Sequence, residues 1–198
     1  MRPGQGRPGA RSKKVRRLNA HLVFADESGF QLIPTVRRTW APRGQTPVIH
    51  HWDRRDKVSA ISALTVSPRR QHLGLYLHVH PNNLTHVEVA VFLRDLLRHL
   101  RGHVVLIWDQ GPIHHGAAIA EACRRHPRLH LAPLPSYAPE LNPDEGVWAY
   151  AKRALANGRP LSVDDLFRDV LRVTRAVRQR PALLRAFIVA ADLPPLLH

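Results

Sequence analysis

The 198-residue chain predicts an α/β fold, a mixed five-stranded sheet flanked by helices. Three observations carry that expectation. Three strand patterns come before any helix pattern. Helix and strand patterns then alternate. Two short apolar runs, Leu22-Val23-Phe24-Ala25 and Val104-Val105-Leu106-Ile107-Trp108, run into Asp26 and Asp109. A continuous apolar run of this length reads as a strand buried on both faces. Open α/β sheets place their sites at the carboxyl ends of such strands.

The elements follow in chain order. The first strand covers His21 to Asp26. Lys57 to Val66 and His72 to Val79 form two more, joined by a hairpin turn at Ser67-Pro68-Arg69-Arg70. Thr85-x-x-Glu88 is a capping box, and apolar spacing carries its helix to Leu100. Val104 to Trp108 is the fourth strand. A short helix over Ala117–Arg125 precedes the fifth, Leu129 to Leu134. Asn142-Pro143 opens a helix, with Asn as cap and Pro in the first position, that ends near Asn157-Gly158. Ser162-x-x-Asp165 caps a long helix to about Gln179, and a short helix follows Pro181. A right-handed crossover through the Thr85 helix can lay the Asp109 strand beside the Asp26 strand, bringing the two carboxylates together.

Composition narrows the class. Lys and Arg number 30 against 15 Asp and Glu, for a net charge of +15. Such a surplus suits a phosphate-binding surface. A GC-rich coding sequence also inflates arginine, and only four of these cations are lysines, so the charge supports a reading without carrying it. Cys123 is the single cysteine, which excludes a disulfide framework and a thiolate zinc cluster. No stretch approaches the roughly 20 apolar residues of a membrane span, and no signal-peptide pattern follows the basic start. A soluble intracellular protein is expected. Residues 1–18 hold seven basic residues and no acid, and read as a disordered basic arm or an inert tail. The domain expected beyond it covers 19–198.

A third acid, Glu145, follows Asn142-Pro143-Asp144. Three convergent carboxylates offer hard oxygen ligands for two Mg²⁺ or Mn²⁺ ions, the arrangement that activates an attacking oxygen and stabilises a leaving one in phosphodiester chemistry. Each acid has an ordinary alternative. Asp109 starts Asp-Gln-Gly-Pro and could cap a turn. Asp26 could begin a loop. Glu145 lies three residues after its cap, where an acid steadies the first helical turn. Histidine pairs His50-His51, His78-x-His80 and His114-His115 invite a zinc reading, but no Cys partner or His-Glu-x-x-His pattern supports it.

Phe24-Ala25-Asp26-Glu27-Ser28-Gly29-Phe30 and Arg38-Thr39-Trp40-Ala41-Pro42-Arg43-Gly44-Gln45-Thr46-Pro47 resemble the start of the catalytic domain of IS630-family transposases, in the wider Tc1/mariner group. Trp108-Asp109-Gln110-Gly111-Pro112-Ile113-His114 is similar to the family's second-aspartate motif, Asp-Asn-x-x-x-His. Leu134-Pro135-Ser136-Tyr137-Ala138-Pro139-Glu140-Leu141-Asn142-Pro143-Asp144-Glu145, followed by Trp148 and Lys152, is similar to its third-acid motif. The resemblance spans Leu22 to about Arg153.

The resemblance implies an RNase H-like fold and metal-dependent DNA strand cleavage and strand transfer. Asp26, Asp109 and Glu145 would be the catalytic, metal-holding acids, with Asp144 at the variable position before the third. Thirty-five residues separate Asp109 from Glu145, close to the family's spacing. Gln110 departs from the family's Asn by one methylene. Gln110, His114 and Lys152 would support the acids or contact DNA, and Trp148 would anchor its helix on the sheet. Expected partners are DNA, namely element ends and target, and a second copy of the chain. Since only a basic arm precedes the catalytic region, either an upstream reading-frame product would supply the helix-turn-helix that full-length relatives carry, or the chain would be a truncated copy. The implied setting is the bacterial cytoplasm, at the nucleoid. The competing function is a DNA-occupying remnant or regulator that does not cut.

Overall fold

The computed structural model describes residues 18–33, 37–38, 40–45, 48, 56–136 and 138–193. The expected basic arm, apart from Leu18, and the His50-His51 pair lie outside them. Five strands form one sheet: β1 (His21–Gln31), β2 (Lys57–Val66), β3 (Leu73–His80), β4 (Val104–Trp108) and β5 (Leu129–Pro133), in the order β3-β2-β1-β4-β5. β1, β2 and β3 are antiparallel neighbours, whereas β4 runs parallel to β1 and β5 parallel to β4. The two aspartate-bearing strands are therefore adjacent, as the crossover argument requires.

Helices cover both faces. On one lie α1 (His86–His99) and α2 (Ala117–Arg125), and on the other α3 (Asp144–Leu155), α4 (Val163–Arg178) and α5 (Pro181–Ala190). Strand alternation sorts the core between them. Val23, Ala25, Ile61 and Ala63 pack with Val89, Leu93 and Leu97 of α1. Leu22, Phe24, Ala60 and Leu64 pack with Val147, Trp148, Val170 and Leu184 of α3, α4 and α5. Among the described residues, no helix is long and apolar enough to cross a membrane.

Local signals act as expected at most boundaries. The Thr85 hydroxyl accepts from Val87 N–H, and Glu88 accepts from Thr85 N–H at 2.8 Å. Asp165 N–H donates to Ser162 Oγ at 3.1 Å at the start of α4. The Ser67 turn closes with Arg70 N–H on Ser67 O at 2.9 Å.

Two expectations need correction. β1 does not stop at Asp26. Its parallel pairing with β4 ends at Phe24↔Ile107, but its antiparallel pairing with β2 runs on to Gln31↔Lys57. Beyond Ala25 the strand alternates, with Ser28 and Phe30 buried and Gly29 exposed, so its second half has no apolar run. α3 begins at Asp144, with Pro143 in the cap position. Asn142 sits one residue further out, and its Oδ1 still accepts from Asp144 N–H at 3.2 Å.

Candidate active site

The sheet changes character at the end of β4. Up to Phe24, β1 has β4 on one side; past it that side is open, while β2 continues on the other. Asp26 lies just beyond this point, opposite Ser62 of β2. Strand alternation puts it on the face of Leu22 and Phe24, the face that α3 covers. Asn142 fastens the start of α3 there, its Nδ2 donating to Ala25 O at 3.2 Å.

Asp144 follows and is fully buried, its Oδ2 accepting from Ser62 Oγ at 2.7 Å. Burial drives its pKa well above the carboxylate range, against the Ser62 hydrogen bond, and the charges of Asp26, Glu27 and Glu145 add to the rise. Glu145, one residue on, is exposed. Burial raises Asp26 to about 8, with further rises from the negative charges of Glu145, Glu27 and Asp109. Asp26 is thus electrostatically coupled to both other predicted acids.

Asp109 leaves the end of β4 with its side chain 60% exposed. Its Oδ1 accepts from Gly111 N–H at 2.8 Å, and His114 Nδ1 lies 2.9 Å from the same oxygen. Gln110 reaches across to the next segment, donating through Nε2 to Leu134 O at 3.0 Å and to Ser136 Oγ at 3.5 Å. The extra methylene relative to asparagine is used to span this gap, and Gln110 links the loops that follow β4 and β5.

His114 is buried with its ring stacked on Trp108, centroids 4.1 Å apart and planes 7° from parallel. Nδ1 also lies 3.0 Å from Asp109 O, and Nε2 is 3.0 and 3.1 Å from the Glu27 carboxylate oxygens. Both nitrogens therefore face acceptors only, which calls for a hydrogen on each. Burial lowers the His114 pKa, but the hydrogen bond and charge of Glu27, followed by those of Asp109, outweigh it and the net shift is upward.

Trp148 packs into the core, edge-on to Phe30 at 5.8 Å, which agrees with an anchoring role. Glu145 and Lys152 flank this buried stripe and are exposed. Lys152 makes no hydrogen bond or ion pair among the described residues. Glu27 and Asp144 were not singled out by sequence. A helical wheel places Asp144 in the stripe of Val147, Trp148 and Ala151, at spacings of three, four and seven. Strand alternation places Glu27 on the face opposite Asp26.

Among the described residues no three histidine, cysteine or acidic side chains stand close enough to hold an ion as they are. His78 and His80 stack at 6.2 Å with no third donor. At Asp109, Oδ1 is held by Gly111 and His114. The donor chemistry nonetheless fits a divalent hard cation. All three acids offer oxygen, and the negative charges that add to the burial-driven rise of Asp26 are of the kind a cation offsets.

A family model for DDE superfamily endonucleases matches residues 21–167, from β1 into α4. The chain belongs to that family. No curated protein matches the chain. Its fold is that of a Mos1 strand transfer complex, with a TM-score of 0.54 at 17% identity over 97% of this chain and 66% of that one. A Mos1 mariner paired-end complex with Mn gives 0.53 at 17% identity, over 97% of this chain and 67% of that one. A simian T-cell lymphotropic virus intasome in complex with PP2A regulatory subunit B56 gamma gives 0.51 at 13% identity, over 100% of this chain and 62% of that one. The chain thus spans about two thirds of the Mos1 chains in these complexes, and its five-stranded mixed sheet is RNase H-like.

Proposed function

We propose that this chain is the catalytic domain of an IS630-type transposase that cuts a DNA strand and joins the freed end to a target. The observation that carries the reading is the placement of the acids: Asp26 and Asp109 follow the parallel pairing of β1 with β4, and Glu145 lies in the first turn of α3, which Asn142 fastens to Ala25 O. Asp26, Asp109 and Glu145 would hold two Mg²⁺ or Mn²⁺ ions, which supply Lewis-acid activation of the attacking and leaving oxygens when bound. Asp26, whose raised pKa favours the neutral carboxyl, would have to lose its proton to serve as a ligand. Asp109 presents Oδ2, since Oδ1 is already held. Glu145 closes the site from the exposed side of α3. Trp148 keeps α3 seated, and Lys152, two turns along, meets a phosphate. Gln110 fixes the spacing between the loops after β4 and β5. No residue needs to form a covalent bond with DNA.

The Mos1 complexes described above are a strand transfer complex and a paired-end complex. By analogy, this chain works on element ends and target DNA as at least two copies, at the nucleoid.

The experiment is strand cleavage and joining on an inverted-repeat duplex with Mg²⁺ or Mn²⁺. Asp26→Asn, Asp109→Asn and Glu145→Gln each remove a ligand charge and keep shape. Each is expected to abolish both steps while leaving DNA binding in place, as is EDTA. Cleavage at the wild-type rate by any variant removes that residue from the site. DNA binding by the wild type with no cleavage in either metal favours the DNA-occupying regulator.

A further inference from the structure

We propose that Glu27 is a positioning residue for Asp109 and acts through His114. The inference rests on the reading of Asp109 as a catalytic acid. Asp26 and Glu27 are consecutive on β1 and so point to opposite faces of the sheet. Asp26 faces α3. Glu27 faces the α1 side, where its half-buried carboxylate meets His114.

The imidazole is held at both nitrogens and on one face. Glu27 holds Nε2 with both oxygens, at 3.0 and 3.1 Å. Nδ1 is 2.9 Å from Asp109 Oδ1 and 3.0 Å from Asp109 O. The Trp108 ring, itself buried, covers one face. A ring gripped at both nitrogens and stacked on a fixed indole cannot rotate without losing several contacts at once.

Asp109 needs such support. It sits past the end of β4 with its side chain mostly exposed, where a free carboxylate would sample several rotamers. Gly111 N–H donates to Oδ1, the His114 ring adds an ion-pair contact to Oδ1 at 2.9 Å while its Nδ1 is hydrogen-bonded to Asp109 O, and Oδ2 has no hydrogen-bond partner among the described residues. A side chain at Gly111 would disturb this corner, since an added Cβ would stand 3.1 Å from Asp109 Oδ1 and 3.7 Å from His114 Cε1. Glu27 is the far end of this support, joined through space to a residue 87 positions away. Partners that orient a ligand from behind typically change metal affinity 10–100-fold when removed.

The test separates reach from charge. Glu27→Gln keeps the reach, and its amide can donate or accept at Nε2. Glu27→Asp keeps the charge and withdraws it by one methylene. Mn²⁺ affinity is measured by electron paramagnetic resonance on the DNA-free protein, beside the Mn²⁺ dependence of cleavage and thermal unfolding. Glu27→Gln is expected to stay within threefold of wild type in Mn²⁺ affinity. Glu27→Asp and Glu27→Ala are expected to lose tenfold or more, with cleavage partly restored by excess Mn²⁺. The reverse order, Asp near wild type and Gln impaired, would show that charge and not position matters and would overturn the proposal, as would wild-type affinity in all three. If Glu27→Ala does not fold, the Gln and Asp pair decides. Asp109→Asn is the control. If it too leaves Mn²⁺ affinity and cleavage unchanged, the reading of Asp109 has failed; if it loses both while Glu27→Asp and Glu27→Ala lose neither, the Glu27 proposal alone has failed.

Discussion

Ser62 Oγ donates to Asp144 Oδ2 across 2.7 Å in the interior of the protein. Ser62 is also the cross-strand partner of Asp26. One hydroxyl thus ties the first turn of α3 to the strand beside the first acid. The Asp144 Oδ1 atom is buried without a partner, and burial favours the neutral carboxyl.

This arrangement predicts opposite effects from two substitutions. Ser62→Ala leaves a buried carboxyl with no hydrogen-bond donor from β2, at a cost of about 1–3 kcal/mol. Asp144→Asn mimics the neutral acid and removes the ionisation penalty, so at pH 8 it is expected to match or exceed the wild type in stability. Urea unfolding of both variants at pH 8 checks the pair. A larger loss in Asp144→Asn than in Ser62→Ala would mean that Asp144 is buried as an anion.

Much of this framework is legible in the residues. β2, β4 and α2 fall on the expected limits because each is bounded by turn residues and has one periodicity. The far half of β1 is not legible as an apolar run, because Asp26 and Glu27 interrupt it. The three acids stand out because two follow short apolar runs and one comes just after Asn-Pro. Glu27 and Asp144 are hidden for a different reason. Their roles depend on which face of β1 meets His114 and which side of α3 meets Ser62. Those facts belong to the packing of segments some 80 residues apart.

The raised carboxyl groups predict an unusual pH dependence for the metal-free protein. Asp26 stands at about 8 in the fold against 3.8 for the ordinary side chain. A carboxyl raised by folding stabilises fully below the lower value, and that stability is lost as pH climbs to the upper one. Asp144 is raised in the same direction. His114 is raised too, so its contribution is also lost on going alkaline. Glu88 and Glu121, each lowered to about 2, act in the opposite sense but only below pH 4.5. The melting temperature in EDTA is therefore expected to fall between pH 5 and pH 8. Mg²⁺ should raise it more at pH 8 than at pH 5, because it competes with the proton for Asp26. A melting temperature that climbs over this window in EDTA would contradict the raised pKa values of the buried carboxyl groups.

The surplus of positive charge predicts where DNA contacts count. Several exposed arginines are already committed within their own helices, among them Arg124 with Glu121 at 2.7 Å and Arg172 with Asp169 at 2.8 Å. Lys152 is exposed and has no such partner among the described residues, on the helix that carries Glu145. A cation that contacts a phosphate releases counterions, so removing it weakens binding about equally for all sequences and lowers the log–log salt slope by about 1. Lys152→Gln is expected to do this without changing stability. Arg124→Gln, at the end of α2 that leads into the start of β5, is expected to leave the slope unchanged. The measurement is affinity for an inverted-repeat duplex and a scrambled duplex from low to moderate salt. Phosphate contacts position a protein without reading sequence, so the two duplexes should differ little for this chain. A thousandfold preference for the repeat falls in the range of specific binders and would place base-edge contacts on this domain. A slope unchanged in Lys152→Gln would move the phosphate path off that side of α3.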